Sequence, residues 1–110
     1  MYDKKNLAKL KKMDCLAPDA MKAFWAFDKA ALAEGAIPVK YKELIAVAVA
    51  HTTQCPYCID IHGSNARKAG ATEEALGEAA LAAEGLRAGG AGATGTHVTE
   101  GTGVGANAHA

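Results

Sequence analysis

This sequence is missing several common features, and each absence narrows what it can be. It has no charge excess, because 12 basic residues balance 12 acidic ones over 110 positions. A nucleic-acid binder or a polybasic membrane anchor needs surplus positive charge, so both are excluded. It has no long apolar run. The longest, residues 44–50, is far too short to span a bilayer. The lysine-rich start is not followed by the apolar stretch of a secretory signal, so the cytoplasm is the expected location. Cysteines number only three, too few to staple a small scaffold; in a reducing compartment they point to catalysis or metal binding. Prolines also number three, and none follows Pro56. No pair of strands is evident, so the class is all-α, within one domain of residues 1–110.

Charge is spread unevenly along the chain. Residues 1–12 hold five lysines against Asp3, and residues 71–110 hold five glutamates against Arg87. These read as solvated faces. Apolar Leu7, Leu10 and Met13 predict a short helix over 3–13 that rests one thin edge on the body. A second helix is predicted over 18–34. Met21, Phe24, Trp25 and Leu32 share one face of it, opposite Lys22 and Lys29. That aromatic stripe reads as core or subunit interface and not as a cofactor site; no cofactor is expected. Gly35 ends this helix, and Pro38 starts the next.

From 44 to 50 the third helix is apolar on all sides, which places it centrally and buried. Pro56 cannot donate within a continuing helix, so a turn is expected at 53–55 and a new helix over 56–68. Thr72 is a plausible N-cap for the last helix, with Glu73 and Glu74 in its first turn. Eight of the 12 glycines lie from Gly85 onward. By propensity the helix either ends near Ala88 or continues thinly toward Val98. The core is expected over 18–98, and residues 101–110 read as a flexible tail.

The chemistry concentrates in residues 43–62. In Cys55-Pro-Tyr-Cys58, Pro56 takes the first helical position, Cys55 the cap and Cys58 the first turn. Free backbone N–H groups and the positive helix end favour a thiolate there, so a redox dithiol is the direct reading. The same tetrapeptide occurs in many glutaredoxins. Their fold needs a strand before the motif and a later cis-proline, and this sequence has neither. His62 lies one turn beyond Cys58 on the same face, where it can move a proton or stabilise the thiolate. Glu43 opens the apolar segment and suits a general base if it is buried with a partner.

Distance supplies a constraint. In one straight helix, Glu43 and Cys55 would stand about 18 Å apart at 1.5 Å per residue. They can act together only if the chain reverses at 53–55. A central antiparallel helix hairpin would then bring His62 back toward Glu43.

The set Glu43, Cys55, Cys58 and His62 resembles the Glu-x11-Cys-x2-Cys-x3-His signature of AhpD-like alkylhydroperoxidases, in the carboxymuconolactone decarboxylase superfamily. The resemblance covers roughly residues 18–98. It implies an AhpD-like helical bundle that assembles as trimers or hexamers. It also implies a peroxide- or disulfide-reducing dithiol, with a peroxide as substrate and a dithiol protein or small thiol as reductant. Under it Cys58 attacks the peroxide, Cys55 resolves the sulfenate as a disulfide, and Glu43 and His62 form the proton relay. The decarboxylase branch lacks the cysteine pair, which disfavours its lactone chemistry here. This chain is also short, a single copy of the core, which raises the expectation that subunit contacts complete the pocket.

Two rival readings come from other classes. His51, Cys55, Cys58 and His62 could hold a structural or regulatory zinc if a hairpin gathered them; a non-catalytic redox sensor is the other. His51 otherwise ends the buried helix or supports the dithiol, and Tyr57 shapes access to the sulfurs. Asp60 and His97 read as surface groups, His109 as a tail residue, and Cys15 as a bland, partly buried one.

Overall fold

The computed structural model describes residues 2–100; the expected flexible tail and His109 lie outside them. A 3-10 turn over Lys4–Lys9 leads into five α-helices. These are α1 (Leu10–Leu16), α2 (Pro18–Ala31), α3 (Val39–Thr53), α4 (Pro56–Lys68) and α5 (Glu73–Thr99). No strand occurs among the described residues, so the all-α expectation holds. No helix among them is long and apolar enough to cross a membrane.

Helix α3 is the centre of the fold. It packs against α4 on one side and α5 on another, while α1 packs chiefly on α2. The reversal between α3 and α4 falls where Pro56 requires it. Gln54 adopts a left-handed conformation (φ 57°, ψ 45°), and the Cys55 N–H donates back to Ala50 O at 3.0 Å. Together these close the helix end and turn the chain through a two-residue link. Arg87 of α5 donates to the Thr52 carbonyl, satisfying another acceptor at the same end. A non-glycine residue is strained in the left-handed region. Gln54→Gly is therefore expected to raise stability by about 0.5–1 kcal/mol, read by chemical denaturation of the oxidised protein. No gain would mean that the Gln54 side chain contributes a compensating contact.

Helix α2 stops earlier than its sequence suggests, at Ala31. The Lys42 ammonium donates to Ala31 O at 2.9 Å and to Ala33 O at 2.6 Å. It satisfies carbonyls that a longer helix would have used and ties the end of α2 to α3. Glu34 acts reciprocally, accepting from the Val39 N–H at 2.7 Å to cap the start of α3. Gly70 (φ 100°) ends α4, and Thr72 caps α5 by accepting from the Ala75 N–H at 3.1 Å.

Helix α5 takes the longer of the two courses open to it, running through the glycines to Thr99. Among the described residues, a methyl group added at Gly85, Gly89, Gly90, Gly92 or Gly95 would meet open space, so close packing against those residues is not what keeps them small. The expectation for 44–50 is corrected in part. Glu43, Val47 and Ala50 are buried, but Ile45 and Val49 are half exposed. Among the described residues, α3 is covered by α4 and α5, and the side carrying Ile45 and Val49 stays half exposed. Cys15 is exposed in α1, not partly buried.

Candidate redox site

The hairpin places the chemistry. Cys55 sits at the N-cap of α4, with Pro56 following at the first helical position. Its Sγ accepts from the Cys58 N–H at 3.2 Å. The two cysteines are joined as a disulfide, with Cα atoms 5.3 Å apart. A single helical turn beginning at a cap brings two residues three apart to this separation, which suits a disulfide.

One turn further along α4, His62 faces α3. Its Nδ1 lies 2.7 Å from Glu43 Oε2. A carboxylate only accepts, so Nδ1 donates and Nε2 takes no part in this bond. Glu43 is 5 % exposed. A buried carboxylate needs a partner, and this one has it across the hairpin, as the 18 Å constraint demanded. The sequence alone could not distinguish this placement from an exposed first-turn acid.

Cys58 and His62 both line a groove of about 580 Å³ between α2, α4 and the N-terminal segment. Its walls are largely apolar and include Leu7, Leu10, Met21, Phe24, Trp25 and Ile61. The aromatic stripe of α2 is therefore a wall of the groove and not a buried core, with Phe24 and Trp25 packed edge-on at 5.1 Å. The Trp25 Nε1 donates to Asp14 at 2.9 Å and fixes the indole against α1. Asp28, also in the wall, was not singled out by any sequence signal. A smaller groove of about 290 Å³ reaches Cys58 and His62 from the other side and is lined by Ile45 and Val49.

The other sequence candidates go elsewhere. Tyr57 lines the larger groove beside Cys58. His51 lines neither groove that reaches Cys58. Its Nδ1 donates to Val47 O at 2.8 Å, one turn back in its own helix. The zinc set is thus not gathered, and among the described residues no group of three or more His, Cys, Asp or Glu side chains could hold a metal ion. Asp60 lies in a separate cleft that His51 also lines. His97 is exposed near the end of α5, 3.8 Å from Glu100.

An all-helical chain whose central hairpin carries a disulfide at its turn and a buried Glu–His pair between its arms is AhpD-like in class. The model of the carboxymuconolactone decarboxylase family matches residues 18–101, and the chain belongs to that family. It is 52% identical over 69 residues to uncharacterized protein 4 in the cox locus of Paracoccus denitrificans, a match covering 63% of this chain and 62% of that protein. It is 39% identical over 62 residues to an alkyl hydroperoxide reductase of Mycobacterium tuberculosis, covering 54% of this chain and 18% of that one. The chain therefore spans less than two thirds of the length of these relatives. Among solved structures, a carboxymuconolactone decarboxylase family protein from Legionella pneumophila superposes with a TM-score of 0.70 at 37% identity, covering 76% of this chain and 74% of that one. A Methanobacterium thermoautotrophicum protein gives the same TM-score at 35% identity, covering 74% and 92%.

Proposed function

We propose that this chain is a thiol-dependent peroxidase that reduces organic hydroperoxides through the Cys55–Cys58 pair. The observation that carries the reading is the meeting of three features at one point. The cysteine pair, the buried Glu43–His62 pair and an apolar groove of small-molecule size converge at Cys58. Grooves of about 300–1,000 Å³ hold small organic ligands, and the apolar walls favour an organic peroxide over hydrogen peroxide. The name of the mycobacterial relative supports the same reaction class.

In the reduced protein the Cys58 thiolate attacks the distal peroxide oxygen. The O–O bond breaks, Cys58 becomes a sulfenic acid, and the alkoxide leaves as an alcohol with a proton from His62. Glu43 holds the imidazole in the tautomer and orientation that this transfer needs. The Cys55 thiol then displaces water from the sulfenic acid and forms the disulfide. A dithiol reductant, a small molecule or a protein, restores both cysteines and is itself oxidised. The net reaction consumes one hydroperoxide and one dithiol, and yields one alcohol, one water and one disulfide.

The test is turnover of the reduced protein with cumene hydroperoxide and a dithiol, together with the loss of protein thiols. Two thiols should disappear for each peroxide consumed in a single turnover. Oxidation no faster than that of a free small thiol would defeat the reading.

The reading includes self-assembly into a homo-oligomer. The buried apolar residues among those described are Val47, Ala50, Ala66 and Ala83, a small core for a chain of this length, which gains from subunit contacts. Meanwhile Tyr41, Ile45 and Val49, at intervals of four on α3, are each about half exposed. A second copy covering this stripe would bury it and would close the smaller groove over Cys58 and His62. Ile45→Glu and Val49→Glu are each expected to give a smaller particle by light scattering than the unaltered chain, with helicity retained. A monomeric unaltered chain would remove this part of the reading.

A further inference from the structure

Tyr57 stands between the two cysteines, and its hydroxyl is where the N-terminal segment is fastened. The Asn6 side-chain amide donates to it at 3.0 Å, and the Asp3 backbone N–H approaches the same oxygen at 3.3 Å. The Tyr2 ring meets the Tyr57 ring edge-on, with centroids 4.7 Å apart. The segment is itself built, because Asp3 caps the 3-10 turn by accepting from the Lys5 N–H at 2.9 Å. Held in this way, it supplies Asn6, Leu7 and Leu10 to the wall of the groove over Cys58. Without it that side of the groove would be open, since the remaining wall comes from α2 and α4.

The proposed reaction brings two reactants of different size to Cys58. An organic hydroperoxide fits a groove of about 580 Å³. A dithiol carried on a protein does not, because the surface around its sulfur is far larger than the groove, and the N-terminal wall flanks the approach to Cys58. No residue of the 3-10 turn is buried, so the wall is held mainly by polar and ring contacts at its edge and is cheap to displace.

We propose that Asn6 and Tyr57 form a latch that selects which reductants reach Cys58. Latched, the groove admits small molecules; released, it exposes Cys58 to a protein-borne dithiol. Both are positioning residues, acting through the wall they hold. The inference rests on the dithiol reading of the site and adds to it a size selection in the reductive half of the cycle. In that half, one donor thiolate attacks Cys58 Sγ and the Cys55–Cys58 bond breaks. Cys55 leaves as a thiolate facing the Cys58 N–H, the contact already present at 3.2 Å. The donor's second thiol then releases Cys58. The two donor protons end on the cysteines, and the donor departs as a disulfide.

The experiment measures reduction of the oxidised full chain by two reagents, a reduced thioredoxin as the protein dithiol and dithiothreitol as the small one. Four proteins are compared: the unaltered chain, Tyr57→Phe, Asn6→Leu and the double variant. Tyr57→Phe keeps the ring contact with Tyr2 and loses the acceptor; Asn6→Leu keeps the side-chain size and loses the donor. Each is expected to raise the ratio of thioredoxin rate to dithiothreitol rate by about threefold to tenfold, the scale of one net hydrogen bond. The double variant should show no more than the Tyr57→Phe effect, because Tyr57→Phe already removes the bond that Asn6→Leu breaks, together with the one from the Asp3 N–H. An unchanged ratio, or two effects that multiply, overturns the latch. General loosening would raise both rates together and leave the ratio unchanged, which also overturns it. Because this assay contains no peroxide, it stands apart from failure of the peroxidase reading, which would appear as slow reoxidation of the reduced chain by cumene hydroperoxide.

Discussion

Cys58→Ser is expected to abolish peroxide consumption, lowering kcat/KM by at least about 10³-fold, because a serine hydroxyl at neutral pH supplies no counterpart to the thiolate nucleophile. Cys55→Ser is expected to behave differently. Cys58 lines both grooves that reach the Glu43–His62 pair, and Cys55 lines neither. Cys55 occupies the N-cap, and its sulfur faces the Cys58 N–H. Serine is a good N-cap, so Cys55→Ser should fold and keep α4 in place. It should then consume one equivalent of peroxide, lose its Cys58 thiol to the sulfenic acid and stall for want of a resolving partner. Thiol titration and intact mass, taken after one equivalent of peroxide, read the difference directly. The opposite pattern, with consumption surviving in Cys58→Ser and lost in Cys55→Ser, would assign the attack to the cap position, as in thioredoxin-type sites. Two influences compete here: the helix end favours charge on the capping sulfur, while the grooves and the neighbouring imidazole favour Cys58. Both cysteines are partly buried, so position beside His62 and the larger groove is what assigns the attack to Cys58.

The hairpin was legible because two local rules forced it. Pro56 had to stop one helix and could start another, and Glu43 could join the cysteines only through a reversal. Gln54 and Cys55 make that reversal at the expected place. The Glu43–His62 bond then follows from the geometry of two antiparallel helices.

Other features left no local trace. Asn6 and Tyr57 are 51 residues apart, and neither carries a pattern that names the other. No sequence pattern marks Lys42, although it satisfies the end of α2. The all-round apolar character of 44–50 promised burial but could not say what would do the burying. The face at Val47 and Ala50 is buried against the other described residues, while Ile45 and Val49 stay about half exposed. His51 shows the opposite limit: its spacing to Cys55 suggested a role at the sulfurs, yet its ring turns back to Val47 O. The length of α5 escaped prediction because glycine lowers helix propensity by about 1 kcal/mol per residue without forbidding a helix.

The Glu43–His62 pair yields the second large effect, and it separates structure from proton transfer. Glu43→Gln preserves shape, and an amide oxygen still accepts from the His62 Nδ1. The change in stability is expected to stay within about 1 kcal/mol, since one hydrogen bond replaces another. Activity should nevertheless fall by about 10²–10⁴-fold. A neutral amide no longer stabilises the imidazolium, and its NH2 end, if turned toward the ring, selects the wrong tautomer. Glu43→Ala should lose activity to a similar extent. It should also lose about 2–3 kcal/mol of stability, because it empties a buried site beside Val47 and removes the bond across the hairpin. Chemical denaturation and kcat/KM with cumene hydroperoxide, measured on both variants, make the distinction. If Glu43→Gln kept the rate of the unaltered chain, Glu43 would be a buried strut between α3 and α4, and His62 would work without it. If instead both variants lose activity and only Glu43→Ala loses stability, the carboxylate acts through its charge, and the hairpin exists to bring that charge to the histidine.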